Sequence, residues 1–362
     1  MSPINISWNL IRSLLINRWI ATPYPTASFD GKTIIVTGSN TGIGIEAARH
    51  FTRLGAHRVI LAVRNLVKGE AARRNIETST LRLNVVEVWH LDMASFVSVM
   101  EFVERVNGLE RLDVCILNAA CMAMKWNATE DGWEESLQVN LLSTVLLALH
   151  MLAKQTASAR AHPGYTPRLT MTVSEGYEMT KFTQRGEPNV LQFLNRKEYM
   201  EDPANMWEYY LIEKLFLMYC GREIAKLVPA EGTGPPVMVN MVHPGFCHSE
   251  LVRDSGIGYS VFAFLLAKSS EKGGSTLVDA VVKGVESHGE YLSFCEIAQY
   301  AWQIESEGGE KAQKKMWGEV VGVLEAKYPG MMQSITEQIA GNEKSAGNEK
   351  STDNEKSGIL WV

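Results

Sequence analysis

Tyr210 and Lys214 lie four residues apart in the stretch Met206 to Cys220, MWEYYLIEKLFLMYC. On a helix, residues i and i+4 share a face, so this spacing sets an ammonium beside a phenol hydroxyl. A free phenol titrates near ~10, and a neighbouring cation favours phenolate and brings the group toward general acid/base range. Tyr-x-x-x-Lys also recurs by chance in helices. Two further residues give it weight. Ser174 closes the apolar run Leu169 to Val173 and can hydrogen-bond a substrate oxygen. Asn140, in a helix around Gln138 to Leu142, can position a water linking Lys214 to solvent for proton resupply.

A second constellation reads as a nucleotide cradle. The run Thr33 to Val36 leads into Thr37-Gly38-Ser39-Asn40-Thr41-Gly42-Ile43-Gly44, followed by a helix beginning near Ile45. Between a strand and a helix, Gly38 permits a tight turn, Gly42 lets the backbone approach a pyrophosphate, and Gly44 allows close helix packing. The expected cofactor contacts here are Gly38, Ser39, Asn40, Gly42, Ile43 and Gly44, with the phosphates at the positive end of the helix. The second strand ends in Val63-Arg64-Asn65, where an NAD site would carry an acid for the ribose 2′-hydroxyl. Arg64 offers a cation for a 2′-phosphate instead, helped by Lys68, which favours NADP(H). Asp92 is placed to hold the adenine edge or equally to cap the helix starting near Ser95, and Asn118-Ala119-Ala120 would line the adenosine and ribose side.

The elements that must position these groups follow from alternation. Strand-length apolar runs at Thr33–Val36, Val59–Ala62, Val85–His90, Val114–Leu117, Leu169–Val173 and Met238–Val242 alternate with helix-period stretches. Repeated βαβ units give an α/β, doubly wound parallel sheet (a Rossmann fold) with its ligand crevice at the carboxyl ends of the strands. One domain is expected over residues 30–335, with a C-terminal helical substrate-capping region. Residues 177–208 form an aromatic, charged insertion that reads as a substrate lid, or else as a plain surface insertion. Trp126, Trp133 and the run Tyr259–Ala267 either complete an apolar pocket or belong to the core. Residues 1–29 form an N-terminal helical extension, in which Trp8–Ile20 packs on the domain or lies on a membrane surface. Residues 336–362, with Asn-Glu-Lys-Ser three times, read as a disordered tail.

Composition narrows the rest. The 362 residues are 46% hydrophobic and 21% charged with a net charge of -6, enough apolar mass for a large core and no basic stripe for a nucleic acid. The five scattered cysteines suit reduced thiols in a cytoplasmic protein, which the N-terminal helix could bring to an intracellular membrane. His243 and His248 lack a third ligand, so no metal site is expected.

Taken together, Thr37-Gly38-x-x-x-Gly42-Ile43-Gly44, Asn118-Ala119-Ala120, Asn140, Ser174, Tyr210-x-x-x-Lys214 and Pro244-Gly245 resemble the short-chain dehydrogenase/reductase family in order and spacing, over about residues 30 to 330. The resemblance is to its single-domain type. It implies a Ser174, Tyr210, Lys214 and Asn140 tetrad, with Tyr210 and Lys214 also touching the cofactor and Pro244, Gly245 and Ser249 beside the nicotinamide. Val63-Arg64-Asn65 with Lys68-Gly69-Glu70, and Leu117-Asn118-Ala119, resemble retinol-dehydrogenase-like and fungal secondary-metabolism members. The implied activity is NADP(H)-dependent interconversion of an alcohol and a ketone or aldehyde on a small apolar molecule, with a homodimer implied by analogy. An epimerase or dehydratase of the same fold, or a non-catalytic nucleotide-binding protein, is the alternative. Ala120, where the family usually has glycine, and the long interval from Ser174 to Tyr210 depart from the pattern.

Overall fold

The computed structural model describes residues 21–341, apart from 123–124, 203, 231–233, 235 and 249–266. Eight strands form one sheet: β1 (Thr33–Thr37), β2 (Arg58–Val63), β3 (Val86–His90), β4 (Val114–Leu117), β5 (Arg168–Thr172), β6 (Met238–His243), β7 (Tyr291–Ser293) and β8 (Glu296–Ile297). Their order is β3-β2-β1-β4-β5-β6-β7-β8. Every pairing is parallel except β7 with β8. The six expected strands are all present within a residue or so at each end. The two edge strands, three and two residues long, are too short to carry a periodic signal.

Side chains along the central strands alternate between two cores. Ile35, Ile60, Cys115, Leu117, Leu169 and Met171 face one, while Ile34, Val36, Val59, Leu61, Val114 and Ile116 face the other. Helices α1 (Gly42–Arg53), α2 (Leu66–Thr80) and α7 (Ser270–Val282) cover the second face. Helices α3 (Phe96–Asn107), α4 (Ser143–Ala161) and α6 (Met206–Lys226) cover the first; α5 (Val190–Leu194) lies in the insertion. Because β1 pairs with both β2 and β4, the strand order reverses there, and the loops after β1 and β4 open a crevice between them. The stretch Glu135–Ala161 is long and apolar enough to cross a membrane, but 94% of its most apolar 18-residue window is buried within the molecule.

Two C-terminal helices, α8 (Glu307–Lys327) and α9 (Met331–Ala340), pack on α6 and α4 respectively. Ile335 is fully buried, and Arg160 from the end of α4 donates to the carbonyls of Gln338 and Ile339. The ordered domain therefore runs past the expected boundary at 335, because α9 has its own buried face. At the other end, residues 21–29 form neither helix nor strand. Phe29 is buried edge-on against Phe51, and the Pro25 carbonyl accepts from Arg53. The expected helix Trp8–Ile20 and the repeat-rich stretch beyond Gly341 lie outside the described residues.

The insertion folds down as a packed layer. Tyr177 and Phe182 are interior, the Tyr177 hydroxyl accepts from the Ala301 N–H at 3.0 Å, and Gln303 donates to the carbonyls of Glu178 and Thr180. Most of its aromatics serve packing, while Trp207 is 45% exposed. Trp133 is core.

Candidate active site

The glycine loop turns sharply after β1. Gly38 and Gly42 have φ of +64° and +60°, a region that penalises a side chain. A Cβ on Gly38 would come 2.8 Å from Ala119 Cα, and one on Gly44 would lie 2.7 Å from both Asn118 Nδ2 and the Gly38 carbonyl. Helix α1 begins at Gly42, three residues before the expected start. Its N-cap, Thr41, makes no side-chain bond to the first turn, and no acid stands in that turn. The positive end of α1 thus keeps backbone donors for an anion, in a loop whose glycines admit close approach.

The β4 loop is stitched to the β1 loop by Thr37, whose hydroxyl accepts from the N–H groups of Asn118 and Ala119 at 2.9 Å each. Asn118 returns its amide to the Thr37 carbonyl at 3.0 Å. The Asn118 amide nitrogen thus braces the β1 loop, and Thr37 fastens the two loops together, a partnership its motif position alone did not reveal. Ser39 corrects an expectation: its side chain is fully buried and donates to the Val36 carbonyl at 2.7 Å, so only its backbone can face a ligand. Asn40 and Ile43 are partly exposed on the same loop.

Arg64 projects from the end of β2 with its side chain 64% exposed, 3.2 Å from Glu135 Oε1. Lys68 is exposed; its backbone N–H is taken by the Asn65 side chain, which caps α2. Asp92 is partly buried and accepts from the Ala94 N–H, whereas the cap of α3 is Ser95. The capping alternative for Asp92 is therefore corrected, since Ser95 stands nearer the first helical turn.

Ser174 follows β5 and its hydroxyl accepts from the Gly176 N–H at 3.2 Å, opening a short 3-10 turn. Tyr210 and Lys214 share one face of α6, as their spacing requires. Lys214 Nζ lies 5.6 Å from the centre of the Tyr210 ring and donates to the Thr172 carbonyl at 3.2 Å, at the end of the strand that leads to Ser174. Burial pushes Lys214 down to about 8, against the opposing pull of Glu213 and Cys121.

Asn140 falls in a π-helical turn, Gln138–Leu142, that opens into α4. Its amide is spent. Oδ1 accepts from the Cys121 N–H at 2.9 Å, and Nδ2 donates to the Cys121 carbonyl and to Glu213 Oε2, each at 2.7 Å. The expected water-holding amide is corrected to a clamp between the β4 loop and α6, because both of its donor hydrogens are already used. Pro244 and Gly245 follow β6 and are buried, Gly245 at φ +86°. Ser249 and most of the run Tyr259–Ala267 lie outside the described residues.

Sequence reasoning also passed over Glu134, Ser136 and Glu213, which gather behind Lys214. An acid within the apolar stretch YYLIEKLFLMYC is the signal that could have found Glu213.

The short chain dehydrogenase family matches residues 32–161. The short chain dehydrogenase/reductase dmxR8 of Cryptosporiopsis sp. is 42% identical over 315 residues, covering 85% of this chain and 95% of the relative. The short-chain dehydrogenase anuD of Penicillium roqueforti is 35% identical over 90% of this chain and 86% of its own. Among solved structures, a protein from Mycobacterium paratuberculosis aligns with a TM-score of 0.57 at 22% identity, over 88% of this chain and 98% of that one. An NAD(P) dependent gluconate 5-dehydrogenase from Beutenbergia cavernae, described with bound NADP, aligns at 0.52 and 20% identity over 74% of this chain and 96% of that one. The structural likenesses speak to the fold alone.

Proposed function

This chain belongs to the short-chain dehydrogenase/reductase family, an oxidoreductase family that uses NAD(P), and from that premise we propose that it uses NADP(H) to interconvert an alcohol and a ketone or aldehyde on an apolar small molecule, in fungal secondary metabolism. The observation that supports this reading is that Lys214, on the same face of α6 as Tyr210, donates to the Thr172 carbonyl at the end of the strand that leads to Ser174, in a fold whose first strand ends in a glycine loop where a Cβ on Gly38 or Gly44 would clash.

The residues fit a dinucleotide. Gly38, Asn40, Gly42, Ile43, Gly44 and the backbone of Ser39 would hold the pyrophosphate at the start of α1, Arg64 and Lys68 the 2′-phosphate, Asp92 and Asn118 the adenosine side, and Pro244, Gly245 and Ser249 the nicotinamide end. When bound, the cofactor supplies hydride to the carbonyl carbon. Ser174 Oγ orients the carbonyl by donating to its oxygen, and Tyr210 Oη gives that oxygen a proton as negative charge develops. Lys214, dry and held by the Thr172 carbonyl, keeps a positive charge beside the Tyr210 ring and lowers the cost of the phenolate left behind. In the reverse direction Tyr210 takes the proton back.

Arg64 supports the NADP(H) preference. Its bond to Glu135 is half in solvent, the kind of pair worth about 1 kcal/mol or less, so a doubly charged phosphate can displace it. Fluorescence titration of the purified protein with NADPH and with NADH, repeated for Arg64→Ala, tests the reading. NADPH is expected to bind more tightly, and the variant to lose about tenfold or more toward NADPH while changing little toward NADH, the loss of one charge-assisted phosphate contact. Failure of both nucleotides to bind would return the chain to the non-catalytic alternative.

A further inference from the structure

Behind Lys214 lies a buried polar knot with too few protons for its contacts. Glu213 and Glu134 are both completely buried. Ser136 Oγ stands between them, 2.8 Å from Glu213 Oε1 and 2.7 Å from Glu134 Oε2. A hydroxyl has one hydrogen and can donate to only one of these oxygens. Two ionised carboxylates would leave the other short oxygen-oxygen contact without a proton, in a pocket where such repulsion is not relieved by water.

The surroundings decide where the extra proton sits. Glu134 Oε2 also accepts from the Leu137 N–H at 2.9 Å, as an ionised cap would, so Ser136 donates to it as well. Glu213 must then donate from Oε1 to Ser136 Oγ, while its Oε2 accepts from Asn140 at 2.7 Å. The charged and titratable groups facing the pair are Lys214 and Tyr209 from α6, the Cys121 thiol from the β4 loop and, beside Glu134, the Glu135 carboxylate, a further negative charge. Lys214 supplies one positive charge, which balances one carboxylate and not two. Burial and the neighbouring Glu134 both hold the Glu213 carboxyl well above the usual carboxylate range, which agrees with the hydrogen count. On the far side of the knot the Tyr209 hydroxyl faces Glu134, and burial together with the Glu134 and Glu213 carboxyls holds that phenol well above its ordinary value.

We propose that Glu134, Ser136 and Glu213 form a buried carboxyl pair sharing one proton, and that Glu213 is a positioning residue which holds Asn140 and sets the charge felt by Lys214. The role in turnover rests on the oxidoreductase reading above; the shared proton does not. As the pH rises and the pair loses that proton, a second negative charge appears beside Lys214, raising its affinity for its own proton and straining the Ser136 bridge. A neutral amide at position 213 would mimic the protonated acid and remove this titration.

The test is infrared spectroscopy of the full chain between about pH 6 and 10, which separates protonated carboxyl from carboxylate absorption. Wild type is expected to show a protonated carboxyl band that bleaches at alkaline pH and disappears in Glu213→Gln. In Ser136→Ala, a milder change that leaves both acids in place, the band should shift. Absence of a titrating protonated carboxyl in wild type, or a band unchanged in both variants, would overturn the proposal. NADPH titrations over the same pH range provide the functional arm. The alkaline loss of affinity expected from Lys214 should move to lower pH in Glu213→Gln, and an unmoved profile would remove Glu213 from its positioning role. If wild type binds no nucleotide while the infrared band behaves as expected, the oxidoreductase reading fails and the carboxyl pair stands.

Discussion

At the scale of single residues, this site divides labour between groups that can touch a substrate and groups that hold them still. Tyr210 is partly exposed, and Lys214 beside it is buried and held by the Thr172 carbonyl. Tyr210→Phe removes the proposed proton donor and keeps the ring, so turnover is expected to fall by about 10²–10⁴-fold with NADPH affinity nearly unchanged, read by steady-state assay beside nucleotide titration. His243 makes a separate point about pH. It is buried at the end of β6 with Nε2 3.5 Å from Glu175, yet burial and then the Lys268 charge press its pKa down to about 3, outweighing that carboxylate. The folded protein therefore binds fewer protons than the unfolded chain below the free histidine value of about 6.5, and stability drains away as the pH falls through that point. His243→Gln should recover on the order of 2 kcal/mol of that acid loss near about pH 5, seen by chemical denaturation at neutral and acid pH. Glu213 belongs to this scale too. Its type and neighbours were visible in the sequence, but the need for a shared proton was not, because Ser136 and Glu134 reach it from 77 and 79 positions away.

At the scale of elements, what matters is how two loops from non-adjacent parts of the chain are fastened. The glycine loop is narrow because Ala119 and Asn118 from the β4 loop press against it, with Thr37 accepting from both of their N–H groups. Gly44→Ala would drive a methyl into the Gly38 carbonyl, which is backbone, and into the Asn118 side-chain amide, which is held by its bond to the Thr37 carbonyl, both 2.7 Å away. The variant is expected to lose about 1–3 kcal/mol of stability and most of its nucleotide affinity, measured by thermal denaturation and NADPH titration. Thr37→Val removes the hydroxyl acceptor while keeping the shape. It should cost about 1–3 kcal/mol through two unpaired N–H groups, with nucleotide binding weakened in parallel. The strands and the glycine turn were legible because periodicity and backbone freedom are local properties. The packing of the insertion was not legible, since aromatic and charged composition looks alike in a substrate lid and in a plain insertion packed against the C-terminal helices.

At the scale of the molecule, the two C-terminal helices complete the layer over α6 and α4. Their burial makes the last helix part of the domain: Ile335 is fully enclosed, and Arg160 ties off the carbonyls at the end of α9. Ile335→Ala should cost about 2–4 kcal/mol by opening a cavity between α9 and α4, measured by urea denaturation. NADPH binding at saturating protein stability should be unaffected, because the substitution lies on the outer layer rather than in the crevice between β1 and β4.

The sequence by itself determined the doubly wound sheet, the cradle after its first strand and the tyrosine-lysine pair, because each depends on spacing within a few residues of chain. Periods of two and 3.6, a glycine that must take positive φ, and an i,i+4 pair are all written locally. Tertiary structure alone decided which polar groups serve whom. Asn118 meets Thr37 across 81 positions, Asn140 meets Glu213 across 73, and Ser39 turns its hydroxyl inward to Val36. Those partnerships follow from which loops the strand order brings together, and in a dry interior each polar group must take whatever partner the fold sets beside it.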